Sequence, residues 1–470
     1  MRGSRRFAAS VLVILLTLSS APAAAAVRFT PGSAGVGDPY FPQLGNGGYD
    51  AAHYTLDLRY QPATHLLAGT VRMQASATKN LSRFDLDLSG MTVRSVRVDG
   101  TVAHFSRVGQ ELRIVPAKGI LRGADFVTAV RYDGSPKTIK GSPIVFGADY
   151  GWIYTNDGAF VGDEPNAAHT WFPVNDHPRD KARYTFRVTV PSNRQVVANG
   201  ELASRHSSSG STTFIWQERR PMASYLATID IGRWVFRNGQ TPRGIPEVMA
   251  YDPTRANGVR ANKVFGKTAA ITDYWAHLFG SYPFTSTGAI VDNVQHVGFS
   301  LETETRPLYG FAPDQYTVSH ELAHEWFGDS VSVRTWRDIW LNEGFATFAS
   351  WLWAEHTTGQ NTRTTALQVY RNYGSANRFW RQSIADPKRN TMFSGAVYYR
   401  GAMTLAALRQ RIGDNAFFKL LRTWVRTHRY GNATTQQFTQ LAEQVSGLHL
   451  GHLFHVWLWR KAKPASTDRP

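Results

Sequence analysis

The sequence predicts a multidomain α+β protein in which an N-terminal antiparallel β-sandwich or saddle precedes a mainly helical second part. Its length of 470 residues exceeds what one compact core usually holds and suits two or three domains. Apolar residues alternate with period two in the first half and recur every three to four residues in much of the second. The 42% hydrophobic and 13% aromatic content is typical of a folded protein.

Residues 1–26 have the three parts of a secretory signal peptide. A basic start precedes an apolar run at 7–18, and small residues end in an A-x-A pattern at 24–26. The apolar run is too short to span a membrane. We therefore expect a secreted protein with no stable membrane insertion after the leader is removed. Export by the general secretory route is favoured, and the pair Arg5 and Arg6 leaves twin-arginine export as the alternative.

The β domain is predicted over 46–236, after an N-terminal extension at 27–45. Segments such as HYTLDLRY, GTVRMQASA, RFDLDLSG and YTFRVTVP alternate apolar and polar residues and are bounded by Gly, Pro, Asn or Asp. Repeated short alternation of this kind favours an antiparallel sandwich or saddle.

The helical domain is predicted over 237–463, and the tail at 464–470 is expected to be disordered. The segments ANKVFGKTAAITDYWAHLF, GAVYYRGAMTLAALRQRIGD and TTQQFTQLAEQVSG have apolar residues at helical spacing, with glycine at several of their ends. We therefore expect a domain built mainly from helices.

Charge and cysteine content narrow the classes of function. The 52 basic and 35 acidic residues give a formal net charge of +17, but no block of five or six consecutive Lys or Arg residues occurs. Nucleic-acid binding is therefore not expected. The chain has no cysteine, so a metal site would have to use His, Asp and Glu.

The stretch HELAHEWFG, residues 320–328, carries the metal-binding signal. On a helix His320 and His324 are one turn apart, so both imidazoles project from one face and can bind one zinc ion. Glu321 is then placed beside a water on the metal. A hydrolytic zinc site needs a third protein ligand. Glu343, in WLNEGFA, follows His324 after 18 intervening residues and is the candidate.

These residues and their spacing resemble the gluzincin zinc aminopeptidases of the aminopeptidase N and leukotriene hydrolase type. The segments WFPVNDHP, PMASYL, FGSYPF and VYYRGA have counterparts in the same order in that family, so the similarity extends from about Asn46 to Trp459. The resemblance implies a β-saddle domain, a thermolysin-like catalytic domain, one zinc ion per chain and removal of single residues from peptides with a free N-terminus.

The resemblance also assigns roles to residues around the metal. Glu321 would be the general base acting on a zinc-bound water. The tyrosine of VYYRGA that corresponds to the oxyanion donor is Tyr398, with Tyr399 as the alternative.

Two carboxylates are the candidates for holding the substrate's α-ammonium group. Alignment of FSLETETRP with the family's G-x-M-E-N stretch selects Glu302. Three positions depart from that motif, since Phe299 replaces Gly, Leu301 replaces Met and Thr303 replaces Asn. Glu304 stays an alternative, because period two would put both carboxylates on one face of a strand. The second anchor, nine positions before Pro173, is Glu164.

Other expectations remain open from sequence. Asp329 and Asp338 are candidates to orient the histidines. Glu325 is expected either to belong to the site or, equally, to lie on the surface. The rival functions are a zinc endopeptidase of the same fold and an inactive, peptide-binding relative. The chain ends soon after HLFHVWLWRK, without the large C-terminal helical region of many relatives. We therefore expect an open site that accepts longer peptides.

Overall fold

The computed structural model describes residues 27–254, 266–294 and 297–470. The predicted leader and the first part of the helix expected from residue 261 lie outside the described residues. The described chain has a β-rich N-terminal part followed by a mainly helical part. The predicted fold class is confirmed.

The N-terminal part is organised around an eight-stranded sheet within the described residues. In spatial order its strands are Glu201–Ser208, Ser211–Ala223, Lys181–Pro191, Tyr49–Gln61, Leu66–Ala77, Asp125–Gly134, Thr92–Val98 and Thr101–Val102. Neighbours pair antiparallel, as predicted, except Tyr49–Gln61 and Lys181–Pro191, which run parallel. These two strands are far apart in sequence, so no tight hairpin forces them to be antiparallel.

Two smaller sheets complete the β domain. The four-stranded sheet comprises Thr30–Pro31, Leu81–Asp87, Glu111–Val115 and His104–Val108. The five-stranded sheet comprises Thr138–Ile139, Tyr150–Tyr154, Ala159–Gly162, Ile229–Gly232 and Gln195–Ala198. Alternate residues of the longer strands are buried, which is the pattern that the sequence showed as period two.

The second domain begins with a five-stranded sheet whose strands are Val235–Gln240, Pro246–Tyr251, Thr287–Val291, Leu308–Tyr309 and Ser300–Leu301. Val235–Gln240 pairs with Pro246–Tyr251, which runs parallel to Thr287–Val291. The expected boundary at residue 236 therefore lies inside the first strand of this sheet. A short pair, Val331–Val333 with Gly431–Ala433, lies among the helices.

The α-helices of the described residues all belong to the second domain. In chain order they are α1 (Thr268–Phe279), α2 (Gln315–His324), α3 (Trp340–Thr358), α4 (Thr362–Asn372), α5 (Gly401–His428), α6 (Thr435–Ser446) and α7 (Gly451–Phe454). Helix α5 is interrupted at Gly413, where φ is +77°, a conformation that glycine adopts readily. None of the helices in the described ranges has the length and apolar character needed to cross a membrane.

The N-terminal extension joins the two domains. The Oδ2 atom of Asp38 lies 3.1 Å from Nε2 of His177 in the β domain and accepts a hydrogen bond of 2.9 Å from the Trp336 amide, just before α3. The Tyr40 hydroxyl donates to Asp386 at 2.6 Å. The extension thereby contacts both sides of the domain boundary.

The C-terminal tail differs from the expectation of disorder. Residues 464–470 include a short 3₁₀ turn, Ser466–Asp468. Trp457 donates its indole N–H to the Asp468 carbonyl at 3.1 Å, and the Tyr370 hydroxyl donates to the Pro464 carbonyl at 2.7 Å. Side-chain donors on the neighbouring helices thus bind the tail's backbone carbonyls, which its polar sequence alone does not reveal.

Candidate metal centre and active site

Helix α2 places the two histidines and the intervening glutamate. Its N-terminus is capped by Asp314, whose Oδ1 accepts a hydrogen bond of 2.8 Å from the Thr317 amide. His320, Glu321 and His324 are all buried. Since His320 and His324 are one helical turn apart, their imidazoles point to the same side, with ring centroids 4.8 Å apart.

Helix α3 carries Glu343 in its first turn and packs directly against α2. On its other side α3 comes close to the start of α5, because Gly344 faces Gly401. A Cβ atom on Gly344 would lie 2.8 Å from the Cα of Gly401, too close for a normal contact. The two glycines therefore allow the close helix packing that brings Glu343 beside the residues preceding α5.

The three predicted zinc ligands converge. Oε2 of Glu343 lies 3.2 Å from Nε2 of His320 and 3.5 Å from Nε2 of His324. One ligand atom from each side chain lies within 4.8 Å of the other two. Two imidazoles and one carboxylate are a ligand set typical of hydrolytic zinc.

The hydrogen bonding and charge of these groups also fit a zinc ion. Nδ1 of His324 lies 3.0 Å from the Phe327 carbonyl, so a proton on Nδ1 leaves the Nε2 lone pair free for a metal. Burial alone would raise the pKa of Glu343, but the imidazoles of His324 and His320 outweigh burial and lower that pKa to about 2. Glu343 is therefore held as a carboxylate, the form that binds a cation.

Glu321 and Tyr398 lie on the open side of this centre. They line a small cavity of about 190 Å³ together with His320 and Tyr316. Burial raises the pKa of Glu321 well above its usual range, which moves this carboxyl toward the values suited to a general base. The ring of Tyr398 stacks on the His320 imidazole, with centroids 5.9 Å apart.

The two tyrosines of VYYRGA differ in position. Both belong to a π-helical turn, Ala396–Arg400, that leads into α5. Tyr398 is half-buried against His320, whereas Tyr399 is 36% exposed at the mouth of the cavity. Tyr398 is thus the tyrosine adjacent to the predicted metal ligands.

Glu302 and Glu304 do not share one strand face, contrary to the expectation from period two. The strand ends at Leu301, and the following residues form a turn in which the Arg306 amide donates to the Thr303 carbonyl. Glu302 has a carboxylate oxygen within 4.8 Å of ligand atoms of Glu321 and His324. Glu304 is buried elsewhere, and neither of its oxygens has a hydrogen-bond partner among the described residues.

Glu164 approaches from the β domain. Burial and the neighbouring carboxylate of Glu302 raise the pKa of Glu164 well above its usual range. The adjacent Asp163 instead points into the β domain, where its Oδ2 accepts a hydrogen bond of 2.8 Å from the Trp171 indole. The structure therefore places Glu164 and Glu302 together beside the predicted metal ligands.

Neither of the suggested orienting residues has a carboxylate hydrogen-bonded to His320 or His324 in the described part of the chain. Asp338 accepts hydrogen bonds from the amide and hydroxyl of Thr435 at 3.0 and 2.7 Å, at the start of α6. Asp329 is buried, and its carboxylate oxygens have no hydrogen-bond partner among the described residues. The group that orients His324 is a backbone carbonyl, that of Phe327, which no side-chain pattern could reveal.

Glu325 is not a surface residue. It is fully buried, and its Oε2 accepts a hydrogen bond of 3.2 Å from the Thr305 amide. This side chain therefore helps to hold the turn that follows Glu302, a long-range contact that cannot be read from helical periodicity.

Tyr225 is a site residue that the sequence reasoning did not single out. Its hydroxyl donates to Oε1 of Glu302 at 3.5 Å, and its ring packs edge-on against Trp336. Tyr225 lies in PMASYL, one of the segments that carry the family resemblance. The resemblance therefore marks this segment but does not by itself assign a role to Tyr225.

Comparisons with known proteins agree with this geometry. The model described as "Peptidase family M1 domain" matches residues 313–457, which include all three predicted zinc ligands and Tyr398. The model described as "Peptidase M1 N-terminal domain" matches residues 149–226, which include Glu164 and Tyr225. The chain belongs to peptidase family M1.

Solved structures of the M1 family share the fold along nearly the whole chain. The M1 zinc metallopeptidase from Deinococcus radiodurans has a TM-score of 0.83 and 28% identity, covering 92% of this chain and 99% of that one. A mutant of it bound to a Tyr-Ser-Ala substrate has a TM-score of 0.84 and 28% identity, with coverage of 92% and 100%.

Among sequences, glutamyl aminopeptidase of Bitis rhinoceros is 24% identical over 447 residues, covering 88% of this chain and 46% of the relative. Aminopeptidase N of Streptomyces lividans is 25% identical over 418 residues, covering 79% and 46%. The chain thus spans about half the length of these relatives.

Proposed function

We propose that this M1-family protein is a zinc aminopeptidase that removes single residues from the free N-terminus of peptides. The observation that supports this most directly is the convergence of Glu164 and Glu302 beside the ligand set His320, His324 and Glu343. An endopeptidase needs no paired carboxylates there, whereas an aminopeptidase must hold an α-ammonium group at a fixed place.

The ligand set would hold the zinc ion through the two Nε2 atoms and the Glu343 carboxylate. When bound, zinc lowers the pKa of water in the site and polarises the scissile carbonyl. The glutamate and tyrosine of the open side then supply the remaining chemistry from this chain.

Glu321 acts as the general base. It takes a proton from the attacking water and passes this proton to the leaving amine, and the rise in its pKa caused by burial makes the carboxylate a stronger base. The Tyr398 hydroxyl donates a hydrogen bond to the developing oxyanion. Because burial raises the pKa of Tyr398 well above 10, the phenol stays protonated and remains a donor.

Glu302 and Glu164 bind the substrate's α-ammonium group. Burial raises the pKa of each carboxyl, and their mutual repulsion raises that of Glu164 further. An ammonium ion between them would offset this repulsion, so binding favours substrates with an unmodified N-terminus. The Tyr225 hydroxyl donates a hydrogen bond of 3.5 Å to Oε1 of Glu302 and so helps to position this carboxylate.

The proposed activity is tested with a panel of aminoacyl arylamides, assayed with and without a zinc chelator. Glu321→Gln is the control variant, because it keeps the shape of the side chain and the metal ligands while removing the base. We expect hydrolysis that the chelator abolishes, and a loss of about 100-fold or more in kcat for the variant with unchanged zinc content. Absence of hydrolysis by the zinc-loaded protein would contradict the proposal.

We also propose that the protein acts outside the cytoplasm. The support is the leader-like sequence of residues 1–26, with its basic, apolar and small-residue parts. N-terminal sequencing of protein recovered from outside the cytoplasm tests this, and an intact leader on protein confined to the cytoplasm would contradict it.

A further inference from the structure

A second cavity, of about 680 Å³, adjoins the candidate active site and has no role in the proposed chemistry. Its wall is built largely from residues 377–396, with Lys461 and the β-domain residue Phe146 on its rim. Phe146 is 73% exposed. The cavity therefore has an accessible aromatic ring at its rim, contributed by the other domain.

The two cavities meet at the turn that precedes Tyr398. Ser394, Gly395 and Ala396 line the larger cavity, whereas Tyr398 and Tyr399 line the smaller one. A Cβ atom on Gly395 would lie 3.7 Å from the Tyr399 ring, so the backbone at Gly395 runs beside this ring. The turn at residues 394–396 therefore lies between the larger cavity and Tyr399 at the mouth of the smaller one.

The structure also sets the direction in which a bound peptide runs. Its N-terminus would lie against Glu302, a fully enclosed side chain. The accessible rim of the active site is formed by Tyr399 and Tyr316, which are 36% and 39% exposed. The residues after the scissile bond would therefore leave across this rim, where Tyr399 lies next to the turn that lines the larger cavity.

The larger cavity is positively charged. It is lined by Arg378, Arg381, Lys388 and Lys461, and only one lining residue, Asp386, is acidic. Lys388 forms an ion pair with Asp386. The other three cations are exposed, and their side chains make no hydrogen bond or ion pair with any residue that the structure describes.

We propose that this cavity binds the peptide segment that follows the scissile bond and favours acidic side chains there. The proposal rests on the proposed function, since it assigns a substrate class to the same site. The unpaired guanidinium groups of Arg378 and Arg381 would bind carboxylates, and Phe146 would contact apolar parts of the same segment.

The test measures binding without turnover, in the Glu321→Gln background. Three fluorescent pentapeptides share an N-terminal leucine and carry aspartate, alanine or lysine at their third and fourth positions. Their Kd values are measured by anisotropy for Arg378→Glu/Arg381→Glu. The matched control is Lys419→Glu/Arg426→Glu, which changes the net charge equally with exposed side chains on α5 that line neither cavity.

We expect the aspartate peptide to bind most tightly before substitution. In Arg378→Glu/Arg381→Glu its Kd should rise about tenfold, as expected for loss of exposed ion pairs, while the alanine peptide changes less than about twofold. The control variant should leave the preference intact. Equal effects of the two double variants, or no preference for aspartate at the outset, would overturn the proposal. Peptide binding with this preference but no turnover by the unsubstituted protein would instead contradict the proposed function.

Discussion

The Nε2 atom of His320 and the Oε2 atom of Glu343 lie 3.2 Å apart, although the two residues belong to different helices. The contact depends on how closely α3 packs against α2, and Gly344 lets α3 also approach the start of α5. The metal centre is therefore a product of helix packing as well as of the two-histidine motif.

Substitution of Glu343 by Gln should remove zinc while leaving the fold intact. The change removes the one negative charge among the three ligands. Loss of a residue that only orients a metal ligand lowers metal affinity by up to about 100-fold, so we expect loss of a direct ligand to lower zinc affinity by more than that. Zinc content is measured by mass spectrometry after dialysis. Glu355→Gln is a control on the same helix, where Glu355 pairs with Arg409 away from the site. Retention of zinc by Glu343→Gln would contradict the assigned ligand set.

Substitution of Tyr398 by Phe should lower kcat with little change in KM. The phenol is placed to donate to an oxyanion that exists only as the reaction proceeds, so its loss should cost about 100- to 1,000-fold in kcat. Tyr399→Phe is the matched control, since that ring lies at the exposed mouth. The assignment fails if the two variants lose activity equally.

Substitution of Glu302 by Gln should weaken recognition of the substrate's N-terminus. Loss of a buried carboxylate that pairs with an ammonium group costs about 2 kcal/mol or more, or about 30-fold in kcat/KM. Glu304→Gln removes a neighbouring buried carboxylate that does not face the metal ligands, and it should leave KM unchanged. Steady-state kinetics with one arylamide compares the two. A larger loss in Glu304→Gln would transfer the anchor to Glu304.

Glu218 should make the stability of the protein fall as pH rises. Burial raises the pKa of Glu218 to about 7, above its ordinary value of 4.5, and its Oε2 has no hydrogen-bond partner among the described residues. Between these pH values the folded state binds more protons than the unfolded state, so this group's contribution to the free energy of unfolding decreases from pH 4.5 to 7 and then levels off.

The corresponding test compares the unsubstituted protein with Glu218→Gln by denaturant unfolding at pH 5 and pH 8. The variant cannot ionise, so its stability relative to the unsubstituted protein should increase over this interval by up to about 3 kcal/mol. A difference that is independent of pH would show that Glu218 has an ordinary pKa in the folded state.

The zinc ligands could be proposed from sequence because their geometry is mostly local. His320 and His324 are separated by one helical turn, and the interval to Glu343 is a family pattern. The sequence does not separate Glu302 from Glu304, because period two predicts a continuous strand with both carboxylates on one face. The strand ends at Leu301, and only the tertiary turn that follows shows which carboxylate faces the metal ligands.

Other features depend on contacts between distant segments. Burial of Glu325 against the Thr305 amide, the Phe327 carbonyl at His324 and the ordered tail all arise from tertiary packing. A periodic pattern in sequence reports which face of an element is apolar. It does not report which polar groups meet when elements from different parts of the chain pack together.

Trimming of free N-termini is tested most directly with one peptide in two forms, free and N-acetylated, incubated with the zinc-loaded protein. Mass spectrometry follows the products over time. We expect stepwise loss of single residues from the free peptide and no cleavage of the acetylated one, because acetylation removes the ammonium group that Glu302 and Glu164 would bind. Equal cleavage of both forms, or internal cleavage, would contradict aminopeptidase activity and favour an endopeptidase.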